Sequence, residues 1–343
     1  MGISPANIVE DVESTFNNSG FDTIRCDTAV PRCCFDVFAY RIAKRFHHAF
    51  ITKVIKNIDG LNRKHIIEMK AISHFLDALP IVIGERNRHN DLAENTIYFR
   101  MKKQITAINR DTLKNMLVED NQPYMMATRG SFNAQIDGLK LRKKRKELNI
   151  SRRSLSKSVN LSIKTIAEYE RGGISNSNIE HVEKIEEVLG MKIHVPINIF
   201  DFYSKEMKDQ ETPANKPKYR KNKASFADDL EDMFEELEIS HFWTHSSPFD
   251  ILLKMPTDSQ KRGKMESPII SVIFSEVDER DQRRLFLLQR LLAVLRVYGT
   301  AIVADEVDAK KIKAAGVPSI RKKELKDVKD SKELSKLVRK KQY

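Results

Sequence analysis

The chain has 343 residues, with 60 Lys plus Arg against 48 Asp plus Glu, a net charge of +12 and a pI near 9.4. That length exceeds one ordinary domain and suits two or three, and 41% hydrophobic with 31% charged residues is a globular balance that excludes wholesale disorder. Arg296 interrupts the best apolar stretch, 285–304, so no run reaches the roughly 18 residues that a membrane span requires.

The start, MGISPANIVEDVE, lacks the basic residues and apolar core of a secretory signal. Its three cysteines, two of them adjacent (Cys33, Cys34), cannot form a disulfide framework, so a reduced, cytoplasmic protein is expected.

In chain order, VEDVESTF (9–16) predicts a helix, and FDVFAY (35–40) and ITKVIKNID (51–59) predict strands. A helical stretch follows, then the apolar strand ALPIVIGE (78–85) and AINRDTL (107–113), a short strand running into a helix. Cys26, Cys33 and Cys34 with His47 and His48 include no Cys-x-x-Cys pair, so they are read as structural and no metal is expected. The segment 125–138 reads as a small hairpin.

The charge concentrates next. Between Gly138 and Gly173, eleven basic residues face three acidic ones, a net +8. This window reads LRKKRKELNISRRSLSKSVNLSIKTIAEYERGG from Leu141, with apolar positions at Leu141, Leu148, Ile150, Leu155, Val159, Leu161, Ile166 and Tyr169. Leu141 and Leu148 share one helical face. Ser151 and Ser162 suit N-caps of two further helices, and Asn160 suits a left-handed turn between them. Gly172 suits a helix stop. A fourth amphipathic helix is expected over 178–189, then an edge strand from the alternation Ile193, Val195, Ile197, Ile199.

Polar 209–225, with two prolines, predicts a linker. Beyond it the first flank recurs. LEDMFEEL (230–237), FDILLK (249–254), IISVIFSEVD (269–278), a helical stretch, GTAIVADE (299–306) and SIRKKEL (319–325) follow the order and spacing of the first copy. This is an internal duplication of about a hundred residues. The end, 310–343, carries thirteen basic and four acidic residues and reads as an exposed, salt-bridged helix. The expected domains are 1–122, 123–200, a linker over 201–225, the repeat at 226–330 and a basic tail over 331–343.

The central series Leu-Arg-x-x-Arg, Ser151, Leu155, turn, Leu-Ser, Ile166 and Tyr169-Glu170-Arg171-Gly172 resembles the helix-turn-helix of the lambda-repressor/Cro type. Arg152, Ser156 and Asn160 depart from that pattern without breaking its packing. The resemblance implies base contacts from Ser162, Ile163, Lys164, Thr165 and Glu168 in the major groove. It also implies phosphate contacts from Arg142, Arg145, Ser151, Arg152, Arg153, Lys157 and Arg171.

The flanking order resembles the restriction-endonuclease-like fold, whose site is a strand-borne Asp followed by Glu-x-Lys on the next strand. Copy one keeps Asp36 and Lys53 but has Ile51 at the Glu place; copy two has Asp250, Ile269 and Ser271. One carboxylate does not make a two-carboxylate metal site; Glu68 on the next helix could substitute, but a working nuclease is not the expected reading. Asp36 and Asp250 are therefore read as orienting local backbone. The expected fold is α/β plus all-α, a Cro-type DNA-binding domain between two degenerate endonuclease-like domains.

The whole order resembles a family of archaeal helix-turn-helix transcriptional regulators. That resemblance implies a non-enzymatic regulator, without a cofactor, that binds double-stranded DNA, expected as a homodimer. The rival readings are a nuclease targeted by the motif and a scaffold that binds transcription-machinery proteins.

Overall fold

The computed structural model describes residues 5–26, 33–42, 47–101, 105–174, 176–206, 221–254, 269–274, 279–295, 297–304, 312 and 316–341. Contacts divide the chain into two compact units. One comprises 1–54, 61–81 and 210–343; the other comprises 55–60 and 82–209. No helix among the described residues is long and apolar enough to cross a membrane.

The first unit begins with α1 (Pro5–Asn18), β1 (Asp22–Arg25), β2 (Val37–Ile42) and β3 (His47–Asn57), whose last residues pass into the second unit. α2 (Arg63–Leu76) and the start of β4 (Leu79–Arg86) follow. Its later chain supplies α9 (Lys221–Glu236), β10 (Ser240–Trp243), β11 (Ile251–Lys254), β12 (Ile269–Phe274), α10 (Glu279–Leu295), β13 (Gly299–Val303), β14 (Ser319–Arg321), α11 (Lys322–Leu325) and α12 (Ser331–Lys341). The second unit holds the rest of β4, then β5 (Thr96–Arg100), β6 (Ile105–Ile108), α3 (Arg110–Val118), β7 (Met125–Thr128) and β8 (Ser131–Ala134). After these come α4 (Gly138–Glu147), α5 (Arg152–Ser158), α6 (Ile163–Arg171), β9 (Ser177–Asn178), α7 (Ile179–Leu189) and α8 (Ile199–Glu206).

The duplication is visible in strand order. β1-β2-β3-β4-β6 runs in the first copy and β10-β11-β12-β13-β14 in the second. Antiparallel ladders join the first three strands of each copy, and parallel ladders join β12 to β13 and β13 to β14. The register corrects the alignment of the copies by one residue. Val37 pairs with Thr52 and Ile251 with Ser271, so the place of Lys53 falls to Val272 rather than Ser271.

Within the first unit the two copies are pinned together at polar points. The carboxylate of buried Glu68 on α2 accepts the backbone N–H groups of His245 at 3.0 Å and Ser246 at 2.9 Å. The Cys34 N–H donates to the Ser246 carbonyl at 2.5 Å. Arg290 on α10 reaches the Thr23 carbonyl at 3.4 Å. Phe35 and Phe249, each before an aspartate, are fully buried as core fillers.

Three expectations change here. Ile193–Ile199 forms no strand; it makes a single bridge, Ile136 with His194, and Ile199 opens α8. The expected linker is shorter, because α8 and α9 occupy its two ends; residues 207–220 lie outside those described. The basic tail is helical but not free. Leu334 and Val338 of α12, one turn apart, are buried against Trp243, Ile251 and Ile320, which leaves only its basic face for solvent.

Glu68→Ala leaves two part-buried amides without their acceptor. It is expected to lower the stability of the full chain by about 3 kcal/mol, read as the denaturant midpoint. An unchanged midpoint would mean that Glu68 does not hold the 245–246 turn.

Candidate nucleic-acid interface

Local chemistry builds the second unit's helices in the expected places. Asp137 caps α4 by accepting the Lys140 N–H, Ser151 caps α5 through Ser154 N–H, and Ser162 caps α6 through Thr165 N–H. Asn160, at φ 53°, makes the left-handed turn between α5 and α6. Gly172 and Gly190, also left-handed, end α6 and α7. Leu141, Leu155, Val159, Ile166, Tyr169, Val182, Ile185 and Leu189 form one core. Leu148 does not join them. Asn149, at φ 52°, turns the chain just after α4, which exposes Leu148 and packs Ile150 against the core instead.

The helices are set by two contacts that the spacing did not reveal. A Cβ at Gly138 would lie 2.2 Å from the Tyr169 carbonyl oxygen, so only glycine lets α4 approach the end of α6 this closely. The second contact is ionic. The Glu170 carboxylate, with no exposed side-chain surface, accepts from Arg145 Nε at 2.5 Å, Arg145 Nη2 at 3.2 Å and Arg152 Nε at 2.9 Å. Arg145 Nη1 also donates to the Ile150 carbonyl at 2.7 Å. Burial alone would raise the Glu170 carboxyl, but the two guanidiniums outweigh it and hold the group below its ordinary value.

The twelve residues implied as DNA contacts therefore divide. Arg142, Arg153, Lys157 and Lys164 are exposed, and none has a carboxylate within ion-pair distance among the described residues. Ile163 is exposed at the first turn of α6, beside Ser162 and Thr165, whose hydroxyls bond each other at 2.8 Å. Ser151 is exposed, its hydroxyl oxygen already serving the α5 cap. Glu168 and Arg171 pair with each other one turn apart. Arg145 is turned inward and buried, and Arg152 reaches inward from a half-exposed position.

The pocket of the first unit that resembles an endonuclease site is structural in its bonding. Asp36 accepts from Lys53 Nζ at 2.8 Å through one oxygen and from the Val54 N–H at 2.7 Å through the other. Ile51 is wholly buried, and both Glu68 oxygens are taken by the 245–246 amides. Burial pushes the Asp36 and Glu68 carboxyls above their ordinary values despite these partners. The divalent metal that this fold family implies does not fit: a cation would have to displace Lys53 and find a second carboxylate. Cys26, Cys33 and Cys34 are buried thiols hydrogen-bonded among themselves. In the second copy Asp250 pairs with Arg284 of α10 at 2.6 Å, so each copy neutralises its aspartate with a different cation. The side chains of His47 and His48 lie outside those described.

These two folds define a helix-turn-helix protein with endonuclease-like α/β parts. A helix-turn-helix family model matches residues 141–195, and a PD-(D/E)XK superfamily domain model matches residues 6–123. Along its whole length the chain is similar to archaeal proteins, each named "Putative HTH-type transcriptional regulatory protein". One, from Methanothermobacter thermautotrophicus, is 27% identical over 98% of this chain and 96% of its own. The relative from Methanocaldococcus jannaschii is 28% identical over 88% and 87%, and that from Archaeoglobus fulgidus 24% over 98% and 98%. The family resemblance and the fold class read from the sequence are thereby borne out. No solved structure matches the chain.

Gly138→Ala is expected to cost about 2 kcal/mol of stability by overpacking α4 against α6, measured by thermal unfolding. Glu170 supplies a pH signature. Its folded value lies below the ordinary 4.5, so its stabilisation is complete above that value and is lost as pH falls through the folded value. Acid titration of Glu170→Gln should lack this component; identical acid slopes for both proteins would refute the assignment.

Proposed function

We propose that the chain is a sequence-specific, double-stranded-DNA-binding transcriptional regulator that docks α6 in the major groove. The carrying observation is the capped first turn of α6, which presents Ile163 and Lys164 to solvent. Arg142, Arg153 and Lys157, unpaired among the described residues, stand on the two preceding helices. The match to a helix-turn-helix model and the names of the archaeal relatives support the same reading.

In this reading Ser162, Ile163, Lys164, Thr165 and Glu168 face base edges. Lys164 suits guanine, Ile163 or Thr165 a thymine methyl, and Glu168 a cytosine amine once released from Arg171. Arg142, Arg153 and Lys157 hold phosphates, with Ser151 and Arg171 at the helix ends beside them. Arg145 and Arg152 contribute through Glu170, as positioning residues for α5 and α6. One short helix reads too few base pairs for high specificity, so a homodimer on two half-sites about 34 Å apart completes the function. The chain is then a cytoplasmic non-enzyme, and its α/β copies furnish the dimer surface or the contact with transcription-machinery proteins.

The PD-(D/E)XK match favours a nuclease as the second reading. Purified protein incubated with plasmid and magnesium or manganese decides between them; cleavage lost in Asp36→Ala would establish the nuclease.

For the leading reading, bound fragments selected from random duplexes give the site. On that site, Lys164→Ala with Thr165→Ala should reduce discrimination more than total affinity. Arg142→Ala or Arg153→Ala should weaken all sequences alike and flatten the salt slope by about one unit each. Indistinguishable behaviour of the two kinds of variant would overturn this division of roles.

A further inference from the structure

The second unit contains an open groove of about 530 Å³, lined by Asp59, Asn87, Arg88, His89, Phe99, Arg100 and Met101. Its volume lies within the roughly 300–1,000 Å³ of small-molecule sites. One wall is the loop after β4, which Asn87 ties down by hydrogen bonds. The Asn87 side-chain oxygen accepts the N–H groups of His89 and Asn90, each at 2.8 Å, and its own N–H donates to the Asn90 carbonyl at 2.9 Å. The Leu92 N–H closes the loop on the Glu85 carbonyl at 2.8 Å.

The charge of this groove is arranged in one direction. Its sole carboxylate, Asp59, is already committed: one oxygen accepts the Arg88 N–H at 2.7 Å and the other pairs with Arg100 Nε at 3.1 Å. The Arg88 guanidinium and the His89 imidazole are exposed and have no carboxylate partner among the described residues. Arg100 keeps a terminal nitrogen beyond those used on Asp59 and on the Phe99 carbonyl. Beside these donors lies the half-buried Phe99 ring, backed by Phe202 at 5.4 Å and 33°. A forked cation suits the oxygens of a phosphate, and an aromatic wall suits a planar base.

We infer that this groove binds a nucleotide, with its phosphates on Arg88 and Arg100 and its base against Phe99. The site is independent of the recognition helix, so it stands or falls apart from the DNA-binding reading.

The test is calorimetric titration of the full chain with ATP, AMP and inorganic phosphate, with a salt-matched random duplex as a fourth arm. ATP should bind more tightly than about 1 mM, and Arg88→Ala should weaken it at least about tenfold, with Arg88→Lys between the two. Phe99→Leu should weaken ATP but not inorganic phosphate. Unfolding curves of each variant separate lost binding from lost structure, and Arg142→Ala should leave nucleotide binding unchanged. No ATP binding by the folded parent protein would overturn the inference. So would equal affinity for ATP and phosphate, or loss in Arg88→Ala of duplex binding alone, which would give the groove to the DNA backbone.

Discussion

The helical part of this protein depends on what becomes of the Glu170 carboxylate once it is removed from water. A buried lone charge costs several kcal/mol, and α6 offers it nothing. The charge is tolerable because Arg145 of α4 and Arg152 of α5 converge on it with three donated bonds. Those bonds fix the two helices relative to α6. The arrangement is all-or-none in character, since removing one partner strands the others. The close approach at Gly138 acts in the same place by shape rather than charge.

The first unit uses the same principle. A fold that elsewhere gathers carboxylates around a metal keeps here one aspartate in each copy, held by protein donors. Asp36 orients β3, Glu68 orients a turn of the other copy, and Asp250 holds α10. Each buried acid has lone pairs filled by protein donors, which is the condition for tolerating it in a core. Of the three, Asp36 and Asp250 act within their own copies, and Glu68 alone joins one copy to the other.

Much of the second unit was legible because its signals are local. Ser151, Ser162, Asn160, Gly172 and Gly190 act within four residues of themselves, through caps and left-handed turns. The duplication was legible as a repeated order of apolar runs. What escaped was the direction of charged side chains. Arg145 and Arg142 look alike in a basic run, yet one is buried and the other exposed. Only the buried Glu170 carboxylate, 25 residues further along, decides between them. Leu148 was misjudged because Asn149 ends the helical period one residue later. The burial of α12 had a signal in the spacing of Leu334, Leu337 and Val338, overridden by the density of lysines around them. Glu68 had none: its partners lie 177 and 178 residues further along.

That separation bears on the order in which the chain can fold. The second unit draws almost all its residues from one continuous stretch, 82–209, so its contacts are close in sequence and can close early. The first unit joins residues 1–54 and 61–81 to residues after 210. While the chain emerges from the ribosome, β1, β2 and β3 can pair with one another, but Glu68 and the Thr23 carbonyl lack their partners until the last third has been made. A chain stopped before residue 210 would thus carry a finished helix-turn-helix and every strand of the first copy's sheet, but would lack the partners of Glu68 and of the Thr23 carbonyl.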